Sequence, residues 1–169
     1  MDIPAHIALI MDGNARWARL HNLTISQGHK KGAETAKYII KKSQEIGIKY
    51  LTLYTFSSEN WNRPKEEVEY LMELLRYYLA TEVDDFQENN VKVQFLGSLD
   101  ILDKDIKENI CLAEEKTKNN NNLQLNIALN YGGKQEIIAA TKKIASQVLN
   151  KIINIEEINE NLFSNNLYS

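Results

Sequence analysis

The chain has 169 residues, is 43% hydrophobic and carries a formal charge of −3, which is enough apolar content for one domain with a real core and no basic footprint for nucleic acid. A single cysteine, Cys111, excludes an intramolecular disulfide and fits a reducing compartment. No run approaches the roughly 18 apolar residues of a spanning helix, and Met1-Asp2-Ile3-Pro4 lacks the basic and apolar regions of a secretory signal, so a cytoplasmic protein with no transmembrane segment is expected.

The first strand candidate is His6–Met11, where "IALIM" is apolar without alternation, as in a strand covered on both faces. It ends in Asp12-Gly13-Asn14, which is turn chemistry. Arg16 and Trp17 follow at once, and no turn requires them. Gly13 to Arg16 open a short helix. A longer helix is predicted over residues 30–46 with Gly47 as its C-terminal cap. The second strand, Tyr50–Phe56, discharges Ser57-Ser58-Glu59-Asn60-Trp61-Asn62-Arg63. Pro64 then stands where a helix can begin, and helical spacing continues over 65–88. A strand at Val91–Leu96, a helix over 103–117, a strand at Leu123–Leu129 and a helix over 134–150 complete the pattern. Cys111, between Ile110 and Leu112, reads as inert packing. Asn119 to Asn122 read as a biased surface loop. No repeat or interdomain linker interrupts the chain.

Strands alternating with helices at this spacing predict an α/β fold with a parallel sheet and helices on its faces. Such sheets bind ligands outside the carboxyl ends of their strands. The first, second and fourth strands all end in polar clusters, the last being Asn130-Tyr131-Gly132-Gly133, and all three clusters fall on that edge. Asp12 is a hard oxygen ligand suited to Mg²⁺, which takes one or two carboxylates plus phosphate oxygens. The helix start at Gly13 offers free N–H groups to an anion. Arg16, His29 and Arg63 are placed to converge on phosphate. "GHKKGAETAK" lacks the spacing of a P-loop, and no G-x-G-x-x-G follows the first strand, which leaves a nucleotide enzyme weakly supported. Asp84-Asp85 reads as a solvated helix face.

In helix 65–88, Val68, Leu71, Met72, Leu75, Tyr78, Leu79 and Phe86 form one stripe, which Tyr70 and Tyr77 widen. Packing against the sheet accounts for such a stripe. A long hydrocarbon held beside a diphosphate would use the same surface.

Taken together, "HIALIMDGNARWA" at 6–18, "GHKKGA" at 28–33, "GIKYLTLYTFSSENWNRPKEEVEYLMEL" at 47–74 and "LNIALNYGGKQEI" at 125–137 resemble the cis-prenyltransferase family, and within it the bacterial undecaprenyl diphosphate synthases. The resemblance implies a single-domain α/β fold with a mostly parallel central sheet, helices on both faces, a hydrophobic tunnel and a homodimer. It further implies Mg²⁺-dependent condensation of isopentenyl diphosphate with an allylic diphosphate such as farnesyl diphosphate. The product would be a long-chain cis-polyprenyl diphosphate, the lipid carrier of cell-wall precursors, made at the inner face of the membrane.

On the same basis Asp12 matches the family's essential aspartate, serving metal and departing diphosphate. Gly13, Asn14, Ala15, Arg16 and Trp17 match the segment that cradles the allylic diphosphate. His29 matches a diphosphate contact, and Ser57, Ser58, Glu59, Trp61 and Arg63 match substrate-site positions. Asn60 matches the assigned proton acceptor, yet a carboxamide is a poor base, because general bases work best with a pKa near the operating pH. Orientation of a substrate, or relay through water or diphosphate, suits it better.

Three departures stand out. Ile25 occupies the place of a diphosphate-gripping arginine, and Ala15 is a milder change. The chain ends at "NENLFSNNLYS", before the family's arginine-rich segment and second metal-ligating glutamate. Residues 1–169 are therefore expected to form a C-terminally incomplete domain. A lipid-diphosphate-binding or accessory subunit is the alternative to a full enzyme.

Overall fold

The computed structural model describes residues 3–168. Strand β1 (His6–Ile10) leads through the short helix α1 (Asn14–Leu20) to α2 (Ile25–Glu45) and β2 (Tyr50–Ser57). A 3-10 turn at Ser58–Asn62 precedes α3 (Lys65–Thr81), α4 (Val83–Glu88) and β3 (Val91–Leu96). Then come α5 (Lys104–Thr117), β4 (Leu123–Tyr131), α6 (Gly133–Leu149), a 3-10 turn at Ile155–Glu157 and α7 (Glu160–Ser164). The four strands form one parallel sheet in the order β1-β2-β4-β3.

Register sorts the side chains by face, because successive strand residues point opposite ways. Ile7, Leu9, Leu51, Leu53, Leu125, Ile127, Val93 and Phe95 share one face and belong to the core or pack against it. Ile40 of α2, Met72 and Leu79 of α3, and Ile106, Ile110 and Ala113 of α5 are buried in the same cluster. The opposite face carries a polar ladder across all four strands. His6 Nε2 lies 2.8 Å from Thr52 Oγ1, and Asn126 Nδ2 donates to the same hydroxyl at 3.2 Å. Gln124 Nε2 donates to Asn126 Oδ1 at 3.1 Å and to Gln94 Oε1 at 3.0 Å.

Several features differ from the sequence expectation. Helix α2 starts at Ile25 rather than residue 30, because Thr24 and Gln27 form a reciprocal capping box. It ends as expected at Gly47, whose φ of 84° lets its N–H reach Gln44 O and the Ile48 N–H reach Ser43 O. The helix expected over 65–88 breaks at Glu82, which closes α3 and opens α4. Cys111 is exposed on the outer side of α5 and is not packed in the core, since Ile110 and Ala113 take the inward positions. Tyr77 is likewise turned outward, 60% exposed, against the edge of Tyr78.

Candidate functional site

Sheet order makes the three polar strand ends contiguous, because β1, β2 and β4 are neighbours. Two irregularities aim them. Between Tyr54 and Phe56 the pairing of β2 with β4 skips Thr55, and between Phe56 and Ser57 it skips Asn130. The first shift turns Phe56 into the core and brings Ser57 to the sheet edge. The Thr55 hydroxyl, off the ladder, donates to Ala128 O at 2.9 Å. Asn130 sits at φ 47°, accepts from Trp61 Nε1 at 2.9 Å and donates to Ser98 O at 2.6 Å. Trp61 also meets Phe56 edge-on at 5.0 Å. Its indole therefore fastens the Ser58–Asn62 turn onto β4.

On the β1 side, Gly13 takes φ 94° to turn the chain into α1, a conformation that glycine adopts without penalty. Asp12 accepts from Gly13 N at 2.5 Å through Oδ1 and from Arg16 Nη2 at 3.2 Å through Oδ2. Both side chains remain largely exposed, at 70% and 75%. Helix α1 lies closely against α2. An added Cβ on Gly28 would fall 2.8 Å from Ala18 Cβ, and one on Gly32 would fall 2.5 Å from Asn14 Oδ1. The Asn14 side chain thus rests in the groove that Gly32 leaves open.

Opposite Asp12, His29 is 6% exposed and pairs through Nε2 with Glu67 Oε1 at 3.0 Å. Arg63 Nη1 donates to the same oxygen at 2.9 Å. One carboxylate therefore orients two of the three side chains, Arg16, His29 and Arg63, expected to meet phosphate. Asn60 Oδ1 accepts from Ser57 N at 2.9 Å, so its carbonyl oxygen is occupied and its Nδ2 donor is the end available to a ligand.

A cavity of about 970 Å³ opens between these groups, near the upper end of the range for small-molecule sites. Asp12, Gly13, Asn14, Ala15, His29, Ser57, Asn60 and Arg63 border it. Its apolar walls come from Ile40 of α2, from Leu71, Leu75, Tyr78 and Leu79 of α3, from Phe86, and from Leu53, Val93 and Leu125 of the sheet. The stripe on α3 therefore faces open space as well as core.

The remaining expected site residues lie off the cavity wall. Arg16 stands beside it, bonded to Asp12. Trp17 stacks on His21 at 4.3 Å. Ile25 is the first residue of α2. Ser58 and the exposed Glu59 belong to the 3-10 turn, and Trp61 acts as the anchor described above. Sequence reasoning missed Glu67, although its position four residues after Arg63 is a pairing signal on a helix. It also missed Glu136, which is buried and accepts from Tyr131 OH and Tyr168 N, both at 2.7 Å. That contact to Glu136 and partial burial push the Tyr131 hydroxyl up to about 12.

Among the described residues no group of three or more His, Cys, Asp or Glu side chains is placed to hold a metal ion. The mouth offers the single exposed carboxylate of Asp12. Such a donor fits Mg²⁺ only where ligand phosphate oxygens and water complete the shell. Nor is any helix among these residues long and apolar enough to cross a membrane.

Comparison with known proteins agrees with this geometry. The family model described as putative undecaprenyl diphosphate synthase matches residues 10–169. An isoprenyl transferase of Clostridium tetani is 51% identical over 99% of this chain and 66% of its own length. The ditrans,polycis-undecaprenyl-diphosphate synthase of Micrococcus luteus, described as (2E,6E)-farnesyl-diphosphate specific, is 46% identical over 99% of this chain and 67% of its own. The chain thus spans about two thirds of the length of these relatives. Lavandulyl diphosphate synthase from Lavandula x intermedia, solved with dimethylallyl diphosphate, superposes with a TM-score of 0.91 at 31% identity, over 98% of this chain and 71% of that one. A probable undecaprenyl diphosphate synthase from Campylobacter jejuni gives 0.75 at 35% identity, over 99% and 70%. On the match over residues 10–169 and these identities, the chain belongs to the undecaprenyl diphosphate synthase family of prenyltransferases.

Proposed function

We propose that this chain binds an allylic diphosphate such as farnesyl diphosphate, with the diphosphate at the Asp12–His29–Arg63 mouth and the hydrocarbon in the cavity behind it. The reaction served is cis-prenyl transfer with isopentenyl diphosphate toward a long polyprenyl diphosphate, the lipid carrier for cell-wall precursors. The observation that carries the reading is the continuity of one cavity from a charged rim to an apolar interior. That division matches a ligand with an anionic head and a greasy tail.

Each residue has a task in this reading. Arg63, held by Glu67, meets the phosphate oxygens as a charge-assisted donor, with His29 beside it on the same carboxylate. Asn60 turns its Nδ2 toward the ligand and orients it, rather than acting as a base. The apolar walls exclude water from the allylic carbon once the diphosphate begins to leave. Asp12 would hold Mg²⁺ together with the diphosphate, and that ion supplies neutralisation of the leaving group's charge. Product release to a membrane implies a cytoplasmic protein peripheral to the inner face, and a homodimer follows from the family resemblance.

A second reading is binding without elongation. The groups at this mouth account for one diphosphate, and among the described residues no second cluster of cations borders the cavity. Titration calorimetry with farnesyl diphosphate, with and without Mg²⁺, tests the binding that both readings share. Saturable, Mg²⁺-enhanced binding is expected, and its absence refutes both. Incorporation of labelled isopentenyl diphosphate by the same chain separates them: elongation supports the enzyme, and binding without incorporation supports the accessory role.

A further inference from the structure

Glu82 is an unusual residue to find beside an apolar cavity. It is 7% exposed, stands at the joint between α3 and α4, and lies about 22 Å of helix beyond Glu67 at the mouth, taking 1.5 Å per residue. A carboxylate so placed is costly unless paired. Lys37 of α2 supplies the partner, with its Nζ 2.7 Å from Glu82 Oε2 and 2.9 Å from Oε1. Thr81 Oγ1 donates to Oε1 at 3.3 Å. The hydrogen bond to Glu82 holds the Lys37 ammonium above its ordinary range, and Asp85 adds to the effect.

The location of this pair sets it apart from a surface ion pair. Lys37 and Glu82 border the 970 Å³ cavity and also a separate pocket of about 180 Å³ on the outer side, between α2 and the α3–α4 joint. Ile40 and Phe86 are shared in the same way. Two helices therefore meet at a partition whose polar part is one ion pair. The outer pocket amounts to about a fifth of the volume of the cavity.

We propose that the Lys37–Glu82 ion pair is the stop of the chain-binding cavity, fixing the longest hydrocarbon it accepts by walling it off from the outer pocket. The inference rests on the proposed function, since it takes the cavity to hold a hydrocarbon chain. Its physical basis is twofold. A hydrocarbon cannot displace a paired, hydrogen-bonded carboxylate without leaving it bare, which is strongly unfavourable. The pair also ties α2 to the break in α3–α4, so the two helices cannot part without losing it.

The test titrates the 169-residue chain with straight-chain alkyl diphosphates that lengthen two carbons at a time. In the unaltered protein, affinity is expected to rise severalfold per step and then to level off at a limiting length. In Lys37→Ala/Glu82→Ala that limit should move to longer chains, while affinity for the shortest members stays within about twofold. Lys37→Met/Glu82→Gln removes the charges but keeps most of the volume, so the limit should move to longer chains here as well, and an unmoved limit would show that bulk rather than the ion pair sets it and would overturn the proposal. Should the double alanine variant not fold, Glu82→Ala alone serves, because Lys37 is half exposed and can turn to water. A limiting length unchanged in the folded alanine variant overturns the stop while leaving the proposed function standing. No binding of any alkyl diphosphate by the unaltered protein overturns both.

Discussion

Gly28 and Gly32 face the same helix, yet alanine should act differently at the two positions. Alanine in a helix interior gains about 0.5–1 kcal/mol over glycine. Against this stands the space each Cβ would need. At Gly28 the nearest atoms are the Asn14 carbonyl and, at 2.8 Å, Ala18 Cβ. Backbone and a methyl group cannot rotate away, so α1 itself must shift. Overpacking of this kind costs about 1–3 kcal/mol. The net loss for Gly28→Ala is therefore about 1–2 kcal/mol, a fall in Tm of roughly 2–8 °C for a chain of this size.

At Gly32 the three nearest atoms all belong to the Asn14 carboxamide, which can turn about its side-chain bonds. Gly32→Ala should leave stability within about 1 kcal/mol, because the propensity gain offsets a rotamer change. The displaced carboxamide, however, borders the cavity mouth, so farnesyl diphosphate affinity should fall severalfold. Urea unfolding and titration calorimetry on both variants provide the comparison. Equal destabilisation of the two, or full affinity in Gly32→Ala, would refute the assignment of backbone contact at one glycine and side-chain contact at the other.

Four further outcomes are expected. Asp12→Ala should keep the melting temperature, since the side chain is 70% exposed, and should abolish the enhancement of farnesyl diphosphate binding by Mg²⁺, read by calorimetry. Glu67→Ala leaves the buried His29 without its acceptor and frees Arg63. A charge-assisted bond is worth about 1.5–3 kcal/mol, so urea unfolding should show a loss of that order, and a change under 0.5 kcal/mol would argue against the network. Leu75→Trp, pointing into the cavity, should shorten the longest alkyl diphosphate accepted in the length series while leaving the shortest bound. Tyr131 has its pKa raised from 10.0 to about 12 by Glu136 and burial. Its contribution to stability is therefore complete below about pH 10 and is lost as pH rises through about 12, and Tyr131→Phe should flatten that alkaline slope in unfolding measurements.

Much of the scaffold is legible in the sequence because apolar runs and turn residues are local signals. All four strands fall where "IALIM", "YLTLYTF", "VKVQFL" and "LQLNIAL" place them, and Gly47 stops α2 as its chemistry requires. The break at Glu82 is not legible, and neither is the partner of that carboxylate, Lys37, 45 residues away. The helical stripe runs through position 82 without interruption. Nor does spacing distinguish Trp61 as an anchor from Trp61 as a ligand contact, since its partner Asn130 lies at the end of another strand. Motifs single out Asp12, His29, Asn60 and Arg63, and these four border one cavity. They did not reveal that Glu67 holds two of them, for that depends on which way α3 turns Glu67.

The polar ladder on the far side of the sheet has a consequence for which fold the chain can adopt by mistake. A sheet lined by an open cavity has fewer packed side chains to lock its strands in place, and one residue of slippage reverses every side chain. Were β4 to slip by one, Gln124 and Asn126 would turn toward the greasy side and lose their partners on both neighbouring strands, Gln94 and Thr52. Each carboxamide stranded there would cost about 1–3 kcal/mol, a substantial share of the stability of an ordinary domain. The hydrogen bonds from His6 to Gln94 thus act as a key that admits one alignment. Error-checking of the strands is carried on the polar face, where Thr52 and Asn126 are buried, and the cavity side is left free to be hollow.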